Sequence, residues 1–137
     1  CFINPENLSF TKAPMHILIG EDDNWTPASP CENLVNKLSK NTNIGITVYP
    51  NAHHGFDSEE TVHRNEKGYS FKDCLFDLTS EGDVLMNYLR IPMSNSILQK
   101  VGLLFCVERG VDIGGNPEAR KKSFPLAKNF MKRTLLE

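Results

Sequence analysis

Apolar and polar positions fall along this chain in short blocks, and the blocks change period. Residues 1–13 are polar and turn-rich, and then Pro14-Met-His-Ile-Leu-Ile-Gly20 forms an apolar run closed by glycine. A run that is apolar on both faces suits a strand buried in a parallel sheet. Ser29-Pro30-Cys31-Glu32 opens a helix, with Ser29 as N-cap, Pro30 at the first helical position and Glu32 reaching back to close a capping box. Leu34, Val35 and Leu38 share one face of that helix, Asn41-Thr42-Asn43 stops it, and the β-branched run Ile44-Gly-Ile-Thr-Val-Tyr49 follows as a strand. Strand, helix and strand in so short a stretch is a βαβ unit, whose crossover is nearly always right-handed.

Beyond Tyr49 the pattern loosens. Ser58 to Tyr69 is charged and irregular. Ser80 to Arg90 predicts a short helix carrying Val84, Leu85, Tyr88 and Leu89 inward. Ile97 to Val107 is apolar and helix-like, with a strand as the alternative, and its Val101–Val107 segment predicts a core element. Gly110 to Gly115 reads as a loop, and Asn116-Pro117 starts the last helix as N-cap and first position. Phe124, Ala127, Phe130, Met131, Thr134 and Leu135 line one face of that helix. Pro125 sits inside it and is expected to kink it or delay its start.

Composition narrows the class. Fifteen Lys and Arg against 17 Asp and Glu give a net charge of −2, and the two signs are interspersed. No field favours nucleic acid or an anionic membrane, and Arg120-Lys121-Lys122 reads as a solvated helix face. No apolar run approaches the roughly 18 residues of a membrane span, and no signal peptide is recognisable. The expectation is a soluble protein, cytoplasmic or periplasmic/secreted. Starting at Cys1, with Met15 as its first methionine, it reads as a cleaved or partial chain. Cys1, Cys31, Cys74 and Cys106 are widely spaced, which fits no zinc-finger pattern and permits two disulfides.

Chemistry concentrates just past the two predicted strands. Gly20-Glu-Asp22-Asp23-Asn-Trp-Thr-Pro27 follows the first, and Tyr49-Pro-Asn-Ala-His53-His54-Gly-Phe-Asp57 follows the second. In open α/β sheets reactive groups gather beyond the carboxyl ends of the strands, and parallel neighbours about 4.8 Å apart bring both loops to one edge. An acid and an imidazole so placed are two members of a Ser/Cys-His-Asp site. The third, a nucleophile on a sharp turn, precedes both in one large hydrolase architecture. No Gly-x-Ser-x-Gly or Gly-x-Cys-x-Gly elbow occurs here.

Several other residues have plainer readings. Asp22 is a loop residue beside the working acid, Trp25 walls the site or anchors its loop, and His16 and His63 are surface or satisfied histidines. Asp22, Asp23, His53, His54 and Asp57 together have the chemistry of a divalent metal site, but adjacent histidines rarely both face one ion. Cys31 sits in the first turn of a helix without an elbow, which makes it a structural or disulfide cysteine with Cys1 as a candidate partner. Gly114-Gly115-Asn116-Pro117 could cradle an anion, yet a capped loop-to-helix junction explains it as well. The glycosylation patterns at Asn7-Leu-Ser9 and Asn24-Trp-Thr26 are discounted, the second because a glycan would obstruct the acid loop.

Aligned on these loops, the chain resembles the dienelactone hydrolase family of α/β-hydrolases. The resemblance rests on Pro14 to Pro27, with its Gly20-x-x-Asp23-x-x-x-Pro27 spacing, on Cys31, and on Tyr49-Pro-Asn-Ala-His-His54-Gly-Phe-Asp57. A weaker match is Arg109 to Arg120 with the closing amphipathic helix. The resemblance implies that Asp23 is the acid and His54 the histidine, His54 taking the nucleophile's proton and Asp23 orienting the imidazole. His53 competes for the second role. Asn51 stands where the family often has glycine, and asparagine tolerates the left-handed backbone such a turn needs.

The fold class expected is α/β, the C-terminal part of an α/β-hydrolase fold, with parallel strands 14–20 and 44–49 joined by a helix. Residues 1–137 then form one partial domain, with an irregular or helical insertion over 58–110 and a C-terminal helix over 116–136. The expected function is to supply Asp23 and His54 to an ester or lactone hydrolase that is inactive as this chain alone, with no cofactor and no metal. The expected partners are a small-molecule ester or lactone in the complete enzyme, and a second copy or a completing N-terminal half. Two alternatives stand beside it: a non-catalytic interaction module built on a hydrolase half, and a metal-dependent hydrolase.

Overall fold

The computed structural model describes residues 1, 4–5, 12–38, 42–86 and 88–136. Along them run β1 (Asn4–Pro5), β2 (Met15–Gly20), α1 (Ala28–Leu38), β3 (Ile44–Tyr49), β4 (His63–Ser70), β5 (Phe76–Leu78), β6 (Val84–Met86), α2 (Ser96–Leu103), β7 (Glu108–Ile113) and α3 (Pro117–Leu136). The glycosylation pattern at Asn7 and the helix stop at Asn41 lie outside the described residues. Among those described, no helix is long and apolar enough to cross a membrane.

β2 and β3 pair in parallel from Met15↔Ile44 to Gly20↔Tyr49, joined by α1. Side chains alternate across a strand, so the two apolar runs serve two cores. Ile17, Ile19, Ile46 and Val48 pack with Ala28 and Cys31 on the α1 side. Leu18, Tyr49, Ala52 and Phe56 pack with Ala119 of α3 on the other, and the ring of Phe130 lies 5.9 Å from that of His16. Helices therefore cover both faces of the pair, as its two-sided hydrophobicity demands. α1 begins at Ala28, so Ser29 and Pro30 lie within its first turn, where a missing proline N–H leaves no helical bond unmade. On the free edge of β2 no strand pairs among the described residues, because β1 pairs with β5 instead.

Residues 58–110 differ from the irregular or helical expectation. His63 to Ser70 pairs antiparallel with β7, and β5 and β6 form a hairpin over 76–86. The predicted helix over 80–90 fails for a backbone reason. Gly82 has φ 91°, and Leu89 and Arg90 have φ 59° and 48°, so left-handed residues bracket β6. Thr79 closes the hairpin turn by accepting from Gly82 N and donating its own N–H to Asp83 O. Ile97 to Val107 does hold a helix, α2, capped by the Asn95 side chain on Ile97 N and Leu98 N. Yet Ile97, Val101, Leu104 and Phe105 are exposed, as are Tyr88 and Leu89, so this apolar stretch is not core. Gly102 is its one buried helical residue. α3 starts at Pro117 without delay from Pro125, and Asn116 Oδ1 accepts from Glu118 N and Ala119 N. Ala127, Phe130 and Thr134 are half-buried, whereas Phe124, Met131 and Leu135 face outward. Only one stripe of the expected apolar face is covered.

Disulfides join Cys1 to Cys31 and Cys74 to Cys106 across 30 and 32 residues. Loops of that length stabilise by about 3–4 kcal/mol each in the chain-entropy account. The second spans the hairpin and α2, tying a stretch that buries little apolar surface.

Two substitutions test this packing. A Cβ on Gly20 would fall on the Ala52 carbonyl, so Gly20→Ala should lower the unfolding free energy by about 1–3 kcal/mol in urea titrations. Tyr49 is buried with no hydroxyl partner among the described residues, and burial pushes the phenol above its ordinary value. Tyr49→Phe should therefore be neutral to stabilising, by up to ~1–2 kcal/mol. As pH rises past about 10, the unfolded chain ionises this phenol before the folded one does, so wild-type stability falls. Tyr49→Phe should lose less over that range; equal losses would reject the account.

Candidate active site

The acid loop leaves β2 at Gly20 and the histidine loop leaves β3 at Tyr49, both at the carboxyl edge of the pair. Their backbones stay zipped past the strands: Glu21 N donates to Tyr49 O and Asp22 N to Ala52 O. Glycine at 20 permits that approach. Asn51 takes φ 53°, the left-handed turn that the sequence assigned to it, and brings the chain back toward β2.

Asp23 is 6% exposed, and among the described residues its carboxylate oxygens accept four hydrogen bonds. Oδ1 accepts from Trp25 N at 2.9 Å and Thr26 N at 2.7 Å. Oδ2 accepts from the Thr26 hydroxyl at 3.0 Å and from His54 Nδ1 at 2.9 Å. Since a carboxylate only accepts, the Nδ1 of His54 carries the hydrogen. That leaves Nε2 as the basic nitrogen, and no described residue hydrogen-bonds to it. The Asp23 side chain is 5% exposed and the His54 side chain 42%, so the pair is buried at its acid end and open at its base end. The Trp25 ring lies 4.8 Å from the imidazole at a 44° tilt.

The structure thus brings Asp23 and His54 together and leaves their neighbours apart. His53 Nδ1 donates to the Asp22 carbonyl at 3.2 Å, and the Asp22 side chain is exposed. Asp57 is exposed, and its carbonyl accepts from Arg120 Nε. His16 shares a hydrogen bond with Thr47, and His63 donates to the Thr61 carbonyl. Among the described residues no three His, Cys, Asp or Glu side chains converge as a metal site would require. The glycine-rich junction offers no free cradle, since Gly114 N, Gly115 N and Asn116 N donate to His54 O, Glu60 O and Phe56 O. Arg120 is likewise engaged, with Glu59 at 3.0 Å.

Other residues hold these loops in place. Asn24 Nδ2 donates to Asp112 Oδ2 at 2.8 Å, Asn24 Oδ1 accepts from Asp112 N at 3.0 Å, and Asn24 O accepts from the Ser70 hydroxyl. The acid loop is thereby bolted to β4 and β7, 88 residues away at Asp112. Asn116 caps α3 and also donates to the Asn51 carbonyl, fixing the histidine loop. Thr26 was missed, though its place three positions past an aspartate is the signal of a local turn partner, whereas no local pattern marks Asn24 with Asp112. With its amide so engaged, Asn24 is a poor glycan acceptor.

Asn24→Ala should lower the unfolding free energy by about 1–3 kcal/mol and speed hydrogen exchange at the Asp112 amide. Asn24→Asp should cost more near neutral pH than in acid, because it sets two carboxylates together. An Asp112 amide as protected in Asn24→Ala as in the wild type would overturn this bracing role.

Neither the curated proteins nor the solved structures gave a match to this chain. The family model described as the dienelactone hydrolase family matches residues 4–73. That is just over half of the sequence, and it contains β2, the acid loop, β3 and the histidine loop. The chain belongs to the dienelactone hydrolase family, which carries the α/β-hydrolase fold.

Proposed function

We propose that this chain supplies the acid and the base of an ester- or lactone-hydrolysing site whose Ser or Cys nucleophile is carried outside these 137 residues. The observation that carries the reading is the Asp23–His54 hydrogen bond through Nδ1, with no described residue bonded to Nε2 at the open end. In such a site Nε2 takes the nucleophile's proton as it attacks the acyl carbon. Asp23 stabilises the imidazolium, and Nε2 returns the proton to the leaving alkoxide. All four cysteines are in disulfides, so none is available as a thiolate. The half of the oxyanion hole that follows the nucleophile is lacking with the elbow. The chain by itself is therefore inactive.

The completing element is proposed to meet the free edge of β2, whose backbone donors and acceptors no described strand satisfies. A second copy offers the same edge and so competes for it. The same edge favours the second reading, a non-catalytic interaction module that uses it as a docking strip.

The pure chain should hydrolyse a chromogenic ester no faster than buffer; hydrolysis that His54→Ala abolishes would refute inactivity. Mixing with an upstream segment of the same open reading frame that bears an elbow should restore turnover. His54→Ala and Asp23→Asn should then each reduce it by roughly 100-fold or more. Absence of an elbow upstream would favour the interaction module. In ultracentrifugation the chain should sediment as dimers or larger species, and a monodisperse 15.4 kDa monomer would count against the exposed edge.

A further inference from the structure

We infer that Trp25 is a positioning residue for His54. Its indole covers one face of the imidazole and shields the Asp23–His54 hydrogen bond from water. The inference rests on the reading of His54 as the base. Among the described residues three polar or ring contacts reach the imidazole, all from one loop: the Asp23 carboxylate at 2.9 Å, the Thr26 hydroxyl at 3.3 Å and the Trp25 ring at 4.8 Å. The first two meet Nδ1 at the ring edge. Neither resists a swing of the ring about that hydrogen bond, and the side chain is 42% exposed. A half-buried indole whose ring centre lies 4.8 Å from that of the imidazole, at a 44° tilt, does resist it.

The carboxylate that orients the imidazole also sets the indole. Asp23 Oδ1 accepts the Trp25 N–H and so folds the turn that presents the ring. The acid thus acts on His54 twice, through Oδ2 directly and through Oδ1 by way of the indole. A π face is a favourable neighbour for a cation, so the same contact favours the imidazolium formed in proton transfer. Of the titratable groups on the adjoining segments, the Asp22 and Asp57 side chains are exposed and Glu21 Oε2 accepts from Asn51 N. His53 is bonded to the Asp22 carbonyl, and the Asp112 carboxylate to Asn24 and Arg64. Asp23 is the charged side chain in direct contact.

The test needs no substrate, so it stays separate from the fate of the hydrolase reading. The Nδ1 proton of His54 gives a low-field NMR signal whose exchange with water can be timed. A ring contact of this kind favours the docked rotamer roughly 2- to 10-fold, so exchange should quicken by that factor in Trp25→Leu. Trp25→Phe, which keeps an aromatic face, should recover part of the loss; a residue that merely fills space would be served as well by Leu. An exchange rate unchanged in Trp25→Leu, or a Phe variant no better than Leu, overturns the inference. Should Trp25→Leu fail to fold, the native chain still decides, because Trp25 is its single tryptophan. Its emission should be quenched on acidification in the wild type and not in His54→Gln. The same quenching in both overturns the contact.

Discussion

A carboxylate taken out of water must have its oxygens satisfied, and Asp23 meets that demand within its own neighbourhood. Two backbone N–H groups, one hydroxyl and one imidazole N–H supply four hydrogen bonds to two oxygens. Bonds to a charged acceptor are about twice as strong as neutral ones, so this set dominates the loop's conformation. The acid is a folding element first. It turns the chain after β2 back on itself, delivers α1 at Ala28, and only with its remaining lone pair reaches His54. A neutral side chain here would disturb the turn and the imidazole together.

What brings His54 to that lone pair is a chain of close approaches, each with a residue type to permit it. Gly20 lets the Ala52 carbonyl in, and Asn51 accepts a left-handed backbone. Asn116 divides its side chain between the α3 N-terminus and the Asn51 carbonyl. Helix start and histidine loop are consequently one junction, and α3 packs over the core that contains Tyr49 and Ala52.

The parts of this arrangement that were legible in the sequence are those with local causes. The strands 14–20 and 44–49 showed in their apolar runs, and the turn at Asn51 and the cap at Asn116 in residue type. The adjacency of Asp23 and His54 followed from two parallel strand ends. The strands within residues 58–90 escaped because little local pattern fixes them. β4 reads His-Arg-Asn-Glu-Lys-Gly-Tyr-Ser and is held by pairing with β7, some forty residues on. Left-handed Leu89 and Arg90 carry no sequence signal, since neither residue type favours that backbone. The brace from Asn24 to Asp112 joins loops that no periodicity relates. Apolar side chains at helical spacing on α2 and α3 marked helices correctly but not which stripe is covered, because that depends on neighbours rather than on spacing.

The bond between Cys1 and Cys31 has a topological consequence for the paired loops. It closes a covalent ring of chain that contains β2 and Asp23, while His54 lies outside it. The hydrogen bond at the site therefore crosses the boundary of that ring. A single proteolytic nick between Cys1 and Cys31 opens the ring without releasing anything, and both cut ends stay joined to the rest of the molecule through Cys31. Only a nick combined with reduction lets the piece that precedes the cut diffuse away. A cut after Asp23 would take the acid with it and leave the histidine behind. For cuts between Asp23 and Cys31 the acid thus stays attached until the sulfur–sulfur bond is also broken, whereas one cut between Cys31 and His54 parts acid from histidine at once.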